Sequence, residues 1–152
     1  MTRSGRMAPV QQVFGKAEKE RARELGDAQR RLADAEARLA ELTTYRGEYL
    51  GAFRRRAENG TSVRALRDFQ AFLARLDEAL RQQESIVVAA REQTAGSRRN
   101  WQGAARQVKA VDSVVQRWQN VEARAGERRD QKDTDERAQR AALRRQQGTE
   151  ES

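Results

Sequence analysis

The side chains that could do chemistry in this sequence are carboxylates and guanidinium groups, because it contains no cysteine and no histidine. The chain therefore lacks the commonest general base, a thiolate nucleophile and two of the usual zinc ligands. Carboxylate pairs are frequent, but a solvated helix surface does not raise a carboxyl pKa as acid–base catalysis requires. The sequence shows neither a glycine-rich phosphate loop nor a cluster of metal ligands. We expect no enzyme activity, no cofactor and no metal.

The composition is typical of long helices rather than of a compact globule. Charged residues make up 36% of the 152 residues and aromatic residues 5%, with a single proline, Pro9. Such a chain has little interior, so a deep substrate pocket is not expected. We see no signal peptide and no stretch near the roughly 20 apolar residues of a membrane span. We expect one all-α domain over residues 1–152, located in the cytoplasm.

The formal net charge of +8 is compatible with an anionic partner such as nucleic acid or a membrane surface. However, acids and arginines are interleaved, and many form pairs four residues apart, as Asp77 and Arg81 do. Such pairs stabilise helices in water, so we favour solvated helix faces. A nucleic-acid-binding helical hairpin is the alternative. It requires a one-sided basic stripe with aromatic residues placed to stack on bases.

One short stretch, about residues 58–62, divides the chain into two helical arms. Asn59 and Gly60 accept the positive φ that ends a helix, and the Ser62 hydroxyl can cap the next one. We expect the first helix over about residues 9–57, with Pro9 in its first turn, and the second over about residues 63–145, with flexible ends. A lone break between two periodic runs predicts a long two-helix antiparallel coiled-coil hairpin whose second helix is the longer.

Apolar residues recur at alternating spacings of three and four along both arms, as in the seam of a coiled coil. The pattern is more regular in the second arm, from Leu66 to Ala125. Folding about residue 60 places residues at equal sequence distances from it opposite each other on the two arms. In the middle, small and polar seam residues such as Ala28, Gln83 and Thr94 bury little area, which predicts a compliant waist between better-packed ends. The alternative is that these residues are only tolerated sequence drift in a coiled coil.

A second expectation concerns the surplus length of the longer arm. By the same folding, the second arm has no first-arm partner beyond residue 111, yet Val115 and Trp118 continue the apolar stripe. Exposed apolar side chains of this kind indicate a protein-binding surface, so we expect Val115 and Trp118 to contact a partner. The alternative is that the tail folds back or frays.

A further stripe lies beside the seam near the turn. An exposed aromatic side chain with small neighbours is a typical anchor for a docking helix. The alternative is that the aromatic residue only widens the core face. The members of this stripe are Phe72, Leu76, Ala79 and Gln83.

At these residues the sequence resembles the FliJ family of soluble proteins of the flagellar type III export apparatus. The similarity covers nearly the whole chain, and three motifs carry it in order around the Asn59–Gly60 turn. They are Leu42-x-x-Tyr45-x-x-x-Tyr49, then Phe69-Gln70-x-Phe72-x-x-x-Leu76-x-x-Ala79, and Asp130-Gln131-Lys132-x-x-x-Glu136-x-Ala138-Gln139-Arg140-Ala141-Ala142.

The resemblance implies a non-enzymatic stalk, similar to the central stalk of rotary ATPases. It implies binding to the hexameric export ATPase (FliI-like), to the export gate protein (FlhA-like) and to export chaperones, at the inner face of the cell membrane and without nucleic acid. A passive export chaperone or scaffold is an alternative.

The resemblance also implies where these partners bind. The gate contact would fall on the stripe that contains Phe72, together with Leu76, Ala79 and Gln83. The ATPase contact would fall on the first turns of the first arm and on the tail motif. Within that motif, the residues to test are Gln131, Lys132 and Arg140.

Overall fold

The computed structural model describes residues 2–150, which form two long α-helices. Helix α1 spans Ala8–Ala57, helix α2 spans Val63–Glu150, and a short 3-10 turn at Gly5–Met7 precedes α1. No strand occurs in this part of the chain. The all-α hairpin fold with the longer second helix is confirmed. Helix α2 continues past its predicted end near residue 145.

The connection between the helices is formed by the residues that the sequence singles out. Gly60 has a φ of 91°, which side chains of L-residues rarely adopt. Its N–H donates to the carbonyl oxygen of Ala57 at 3.0 Å and closes the end of α1. The Ser62 hydroxyl accepts the N–H of Ala65 at 3.1 Å, so it caps α2 as predicted.

The described residues form two contact units, and each unit contains residues of both helices. One unit contains residues 2–16 and 105–150, and the other contains residues 17–104. In neither unit is a large described side chain fully buried. Two helices alone provide a seam rather than an enclosed core, which explains the shallow burial.

In the unit of residues 17–104, the deepest burial lies midway along the helices. Ala28 and Val87 are each 2% exposed, and Thr94 is 5% exposed. The Thr94 hydroxyl lies 3.3 Å from the carbonyl oxygen of Ala28, and the Gln83 amide donates to the carbonyl oxygen of Ala35 at 3.0 Å. The expected poorer burial of this region is therefore wrong, whereas its compliance stays a prediction. Small side chains allow two helices to approach closely. The Gln83 amide bonds to the facing backbone, whereas the shorter bond of the Thr94 hydroxyl, at 2.8 Å, goes to the carbonyl oxygen of Ala90 in its own helix.

Close to the turn, aromatic rings join the two helices of the same unit. The ring centroids of Phe53 and Phe69 are 3.8 Å apart, and those of Tyr49 and Phe69 are 5.2 Å apart, both in stacked geometry. Phe72 packs against Tyr49 at 4.6 Å and against the edge of Tyr45 at 6.3 Å. These pairs lie at nearly equal distances from Gly60, as the predicted folding requires.

An ion pair also crosses between the helices of this unit. Arg46 Nε donates to Asp77 Oδ1 at 2.6 Å, with both side chains about one-third exposed. The predicted pair of Asp77 with Arg81 is not formed, since Arg81 pairs with Glu78 at 2.8 Å. Asp77 lies beside the seam and faces α1, whereas Arg81 points to solvent, where residues three apart are also neighbours.

Candidate partner-binding surfaces

The stripe of α2 predicted to bind the export gate lies along the edge of the helix pair. Leu76 is only 7% exposed, while Phe72, Ala79 and Gln83 are half-buried. The outer side of Phe72 is partly covered by the Arg75 guanidinium, 5.6 Å from the ring centroid. Phe72 therefore widens the core face, as the alternative interpretation holds, and only the edge of the stripe is accessible.

A groove of about 780 Å³ runs beside this stripe on the side of α1. Its apolar lining includes Leu42, Tyr45 and the remaining surface of Leu76, with Glu41 and Glu48 among the other lining residues. Tyr45 is 48% exposed, which makes it the largest accessible apolar side chain of the groove. Residues of both helices therefore line the accessible surface here, and the spacing of residues along α2 alone does not show this.

The second predicted surface, around Val115 and Trp118, is not exposed as expected. Val115 is 5% exposed, and Trp118 is half-buried with the Arg3 guanidinium 4.3 Å from its ring centroid. The prediction that α2 is unpaired beyond residue 111 is wrong. Residues 2–7 are ordered ahead of Pro9, where the first arm was expected to begin, and they extend the contacts of that arm with α2.

We call residues 2–7 the clasp segment, because they bind α2 through Glu122. The Ser4 N–H donates to Glu122 Oε1 at 3.0 Å, and the Ser4 hydroxyl donates to Oε2 at 2.6 Å. These two bonds, the hydroxyl first, lower the pKa of Glu122, while partial burial opposes them. Further along the same unit, the Gln11 amide donates to Asp112 Oδ1 at 3.0 Å.

Reasoning from the sequence missed Ser4 and Glu122 entirely. They are 118 positions apart and both are polar, although Glu122 falls on the three-and-four spacing of the second arm. The one available signal is the folding about residue 60, which brings residues near position 4 close to positions near 116. That signal is useful only if the first arm is ordered before Pro9.

Beyond the clasp, every residue from 127 to 150 is exposed although the helix is regular. We call these residues the distal segment. Gln131, Lys132 and Arg140 lie in it, and the Gln131 amide donates to Asp135 Oδ1 at 3.2 Å. Leu143 is 59% exposed. The surplus length of α2 therefore starts near residue 127 rather than at 111.

Both tryptophans are engaged by first-arm side chains within their own units. Trp101 Nε1 donates to Glu18 Oε1 at 2.7 Å, and Trp118 lies beneath Arg3. Both indoles are half-buried, whereas base stacking uses an accessible aromatic face. Over residues 2–150, no cluster of metal-ligating side chains is found, and no helix is apolar over enough length to cross a membrane.

Comparison with protein families gives a match over nearly the whole chain. The family described as Flagellar FliJ protein matches residues 3–147. The chain belongs to the FliJ family. No match was found among curated proteins or among solved structures.

Membership of the FliJ family implies a component of the flagellar protein export apparatus, and the family is non-enzymatic. The FliJ match includes the clasp residue Ser4, the stripe beginning at Phe72 and most of the distal segment.

Proposed function

We propose that this FliJ-family chain is a non-enzymatic stalk that couples the hexameric export ATPase to the membrane export gate and recruits export chaperones. The observation that carries the proposal is the distal segment, whose residues 127–150 are all exposed on a regular helix. An exposed helix without a strong apolar face is suited to docking through salt links. This coupling role would place the protein on the cytoplasmic side, peripheral to the membrane.

The charges of the distal segment support contact with an acidic surface. After Glu127, Arg128 and Arg129, residues 130–136 have four acids and one lysine, whereas residues 137–149 have four arginines and no acid and are followed by Glu150. Such segregation makes the far part of the helix attractive to an acidic lining and gives the helix one preferred direction of approach. The arginines are Arg137, Arg140, Arg144 and Arg145.

For the ATPase contact, we propose Gln131, Lys132 and Arg140, since all three are exposed and lie beyond the paired helices. The proposal extends less readily to Val115, which is buried in the closed hairpin. Trp118 remains a proposed contact, because it is only half-buried and its ring lies beneath the Arg3 guanidinium of the clasp segment.

For the gate contact, we propose the edge of the stripe formed by Phe72, Leu76, Ala79 and Gln83, together with Tyr45 of α1. A partner helix lying in the adjacent groove would cover the accessible parts of Leu76 and Tyr45 without separating α1 from α2. Aromatic and aliphatic side chains in such grooves contribute most of the binding energy at protein interfaces.

The ATPase contact is tested by turnover of the cognate export ATPase with and without this chain. The variant replaces Gln131, Lys132 and Arg140 together by alanine. The matched control replaces the same residue types, also exposed, within the paired region. These control residues are Gln102, Arg106 and Lys109. We expect the first triple variant to lose binding and its effect on turnover, and the control to keep both. Equal behaviour of the two would refute the assignment.

The gate contact is tested by binding to the cytoplasmic part of the gate protein. Replacing half-buried Ala79 by arginine places a charge on the edge of the stripe, whereas Ala74→Arg places it on the exposed opposite side of α2. We expect only Ala79→Arg to weaken binding. Binding of chaperone complexes without any change in ATPase turnover would favour the passive scaffold over the coupling stalk.

A further inference from the structure

The clasp segment ends the region in which the two helices are paired. It bonds to α2 through one carboxylate and one indole: Glu122 accepts two hydrogen bonds from Ser4, and the Arg3 guanidinium lies over Trp118. Within the segment, the Thr2 hydroxyl accepts the Gly5 N–H at 3.1 Å. Ser4, which is 9% exposed, is the one buried residue of the segment.

These contacts are specific but few, so the segment can open without unfolding the hairpin. Four of its residues are exposed, and it contributes no large apolar side chain to the buried core. It includes a single 3-10 turn rather than a continuation of the α-helix. Segments with few buried apolar contacts are those that open first in native proteins.

We propose that residues 2–7 form a releasable clasp over a binding surface on α2 centred on Trp118 and Glu122. When the clasp opens, this surface can take an arginine-containing segment of a partner protein. The closed clasp defines the chemistry that the surface accepts: a guanidinium over the indole ring, and an N–H and an O–H donor on the carboxylate.

Competition between the clasp and a partner follows from this shared chemistry. The clasp is part of the same chain, so its high effective concentration excludes a weak partner while a stronger one displaces it. The surface lies directly before the distal segment in sequence, so displacement would lengthen the part of α2 that a partner can contact. The identity of the partner as the export ATPase rests on the proposed function. The existence of the clasp does not depend on that function.

The clasp is tested first in the isolated full-length chain. In a Trp101→Phe background, quenching of Trp118 fluorescence by acrylamide reports exposure of the indole. Ser4→Ala removes the hydroxyl bond to Glu122 and should increase both quenching and amide exchange near the clasp, the latter by about fivefold. Ser4→Thr keeps the hydroxyl and should behave as wild type.

A matched control removes a serine hydroxyl from the same unit away from the clasp. The Ser113 hydroxyl donates to the carbonyl oxygen of Lys109 within α2, so Ser113→Ala should leave Trp118 exposure unchanged. Unchanged quenching and exchange in Ser4→Ala, with helicity intact, would overturn the proposal. So would equal changes in Ser113→Ala.

The binding surface is tested with the hexapeptide of residues 2–7, Thr-Arg-Ser-Gly-Arg-Met, added to the Ser4→Ala chain. We expect saturable binding that changes Trp118 fluorescence, that weakens in the same peptide with its first arginine replaced by alanine, and that is lost when Glu122→Ala is added to the chain. Absence of binding, or equal binding to the chain with and without Glu122, would refute the surface.

The ATPase is then added to separate the two proposals. If the Ser4→Ala chain binds the export ATPase more tightly than wild type, both the clasp and the ATPase contact gain support. If opening is observed without any gain in ATPase binding, the clasp stands and the ATPase assignment at Trp118 fails.

Discussion

The close contact of small side chains midway along the unit of residues 17–104 leads to a quantitative prediction. Ala28 is 2% exposed, and its carbonyl oxygen lies 3.3 Å from the Thr94 hydroxyl on the facing helix. Ala28→Leu adds three heavy atoms to a site that has no space for them. Overpacking of this kind typically costs about 1–3 kcal/mol.

The matched control is Ala37→Leu, since Ala37 lies on the same helix but is exposed. Both changes replace the best helix former by a nearly equal one, so differences in helix propensity cancel. The difference in free energy of unfolding between the two variants therefore isolates the packing between helices.

Urea unfolding followed by far-UV circular dichroism measures this difference. For a chain of this size, each kcal/mol also lowers the thermal midpoint by about 2–4 °C. We expect the free energy of unfolding of Ala28→Leu to be about 1–3 kcal/mol lower than that of Ala37→Leu. Equal stability of the two variants would mean that the helices are loosely apposed here, and would restore the compliant waist that the sequence suggested.

Three other predictions follow from the turn and the clasp. Gly60→Ala should destabilise the hairpin by about 1–2 kcal/mol in urea unfolding, because its φ is positive, whereas Gly47→Ala, in open space within α1, should stabilise it by about 0.5–1 kcal/mol. Ser62→Ala should cost about 0.5–2 kcal/mol through loss of the cap on α2, measured in the same way. Acidification should open the clasp, because hydrogen bonds from Ser4 lower the pKa of Glu122: their contribution is complete above the ordinary carboxyl pKa of about 4.3 and is lost as the pH falls through the lowered pKa. Acrylamide quenching of Trp118 should rise over that range in the Trp101→Phe chain, and adding Glu122→Gln should remove the pH dependence.

The helices and their connection were predictable because their signals are local. Asn59, Gly60 and Ser62 each act within a few residues, through φ or through one capping hydrogen bond. The seam is a property of spacing along each helix, and it placed Tyr49 against Phe69 and Phe72 by distance from the turn alone.

The packing in the middle was not predictable from the size of side chains. Counting apolar area assigns little burial to Ala28, Ala35 and Thr94, yet these residues are among the least exposed. Their small size brings the two backbones together, and the gain then comes from contact between the helices themselves. The area of one side chain does not contain that information.

The candidate surfaces were predictable only in part, because burial depends on residues distant in sequence. Phe72 and Leu76 have the spacing of an independent stripe but are covered by α1. Val115 and Trp118 continue the apolar period, but Trp118 is partly covered by Arg3, which belongs to a segment with no apolar period of its own. Gln131, Lys132 and Arg140, by contrast, are exposed on a regular helix, and their role in ATPase binding stays a prediction.

The central claim, that the distal segment of α2 holds the export ATPase, is tested most directly with a chain that ends at residue 126. All residues described beyond that point are exposed, so the truncated chain should keep its clasp and its thermal midpoint. Turnover of the cognate ATPase is then measured with the full and the truncated chain at equal concentration. We predict that the truncated chain neither binds the ATPase nor changes its turnover. A truncated chain that affects turnover as strongly as the full chain would contradict the account.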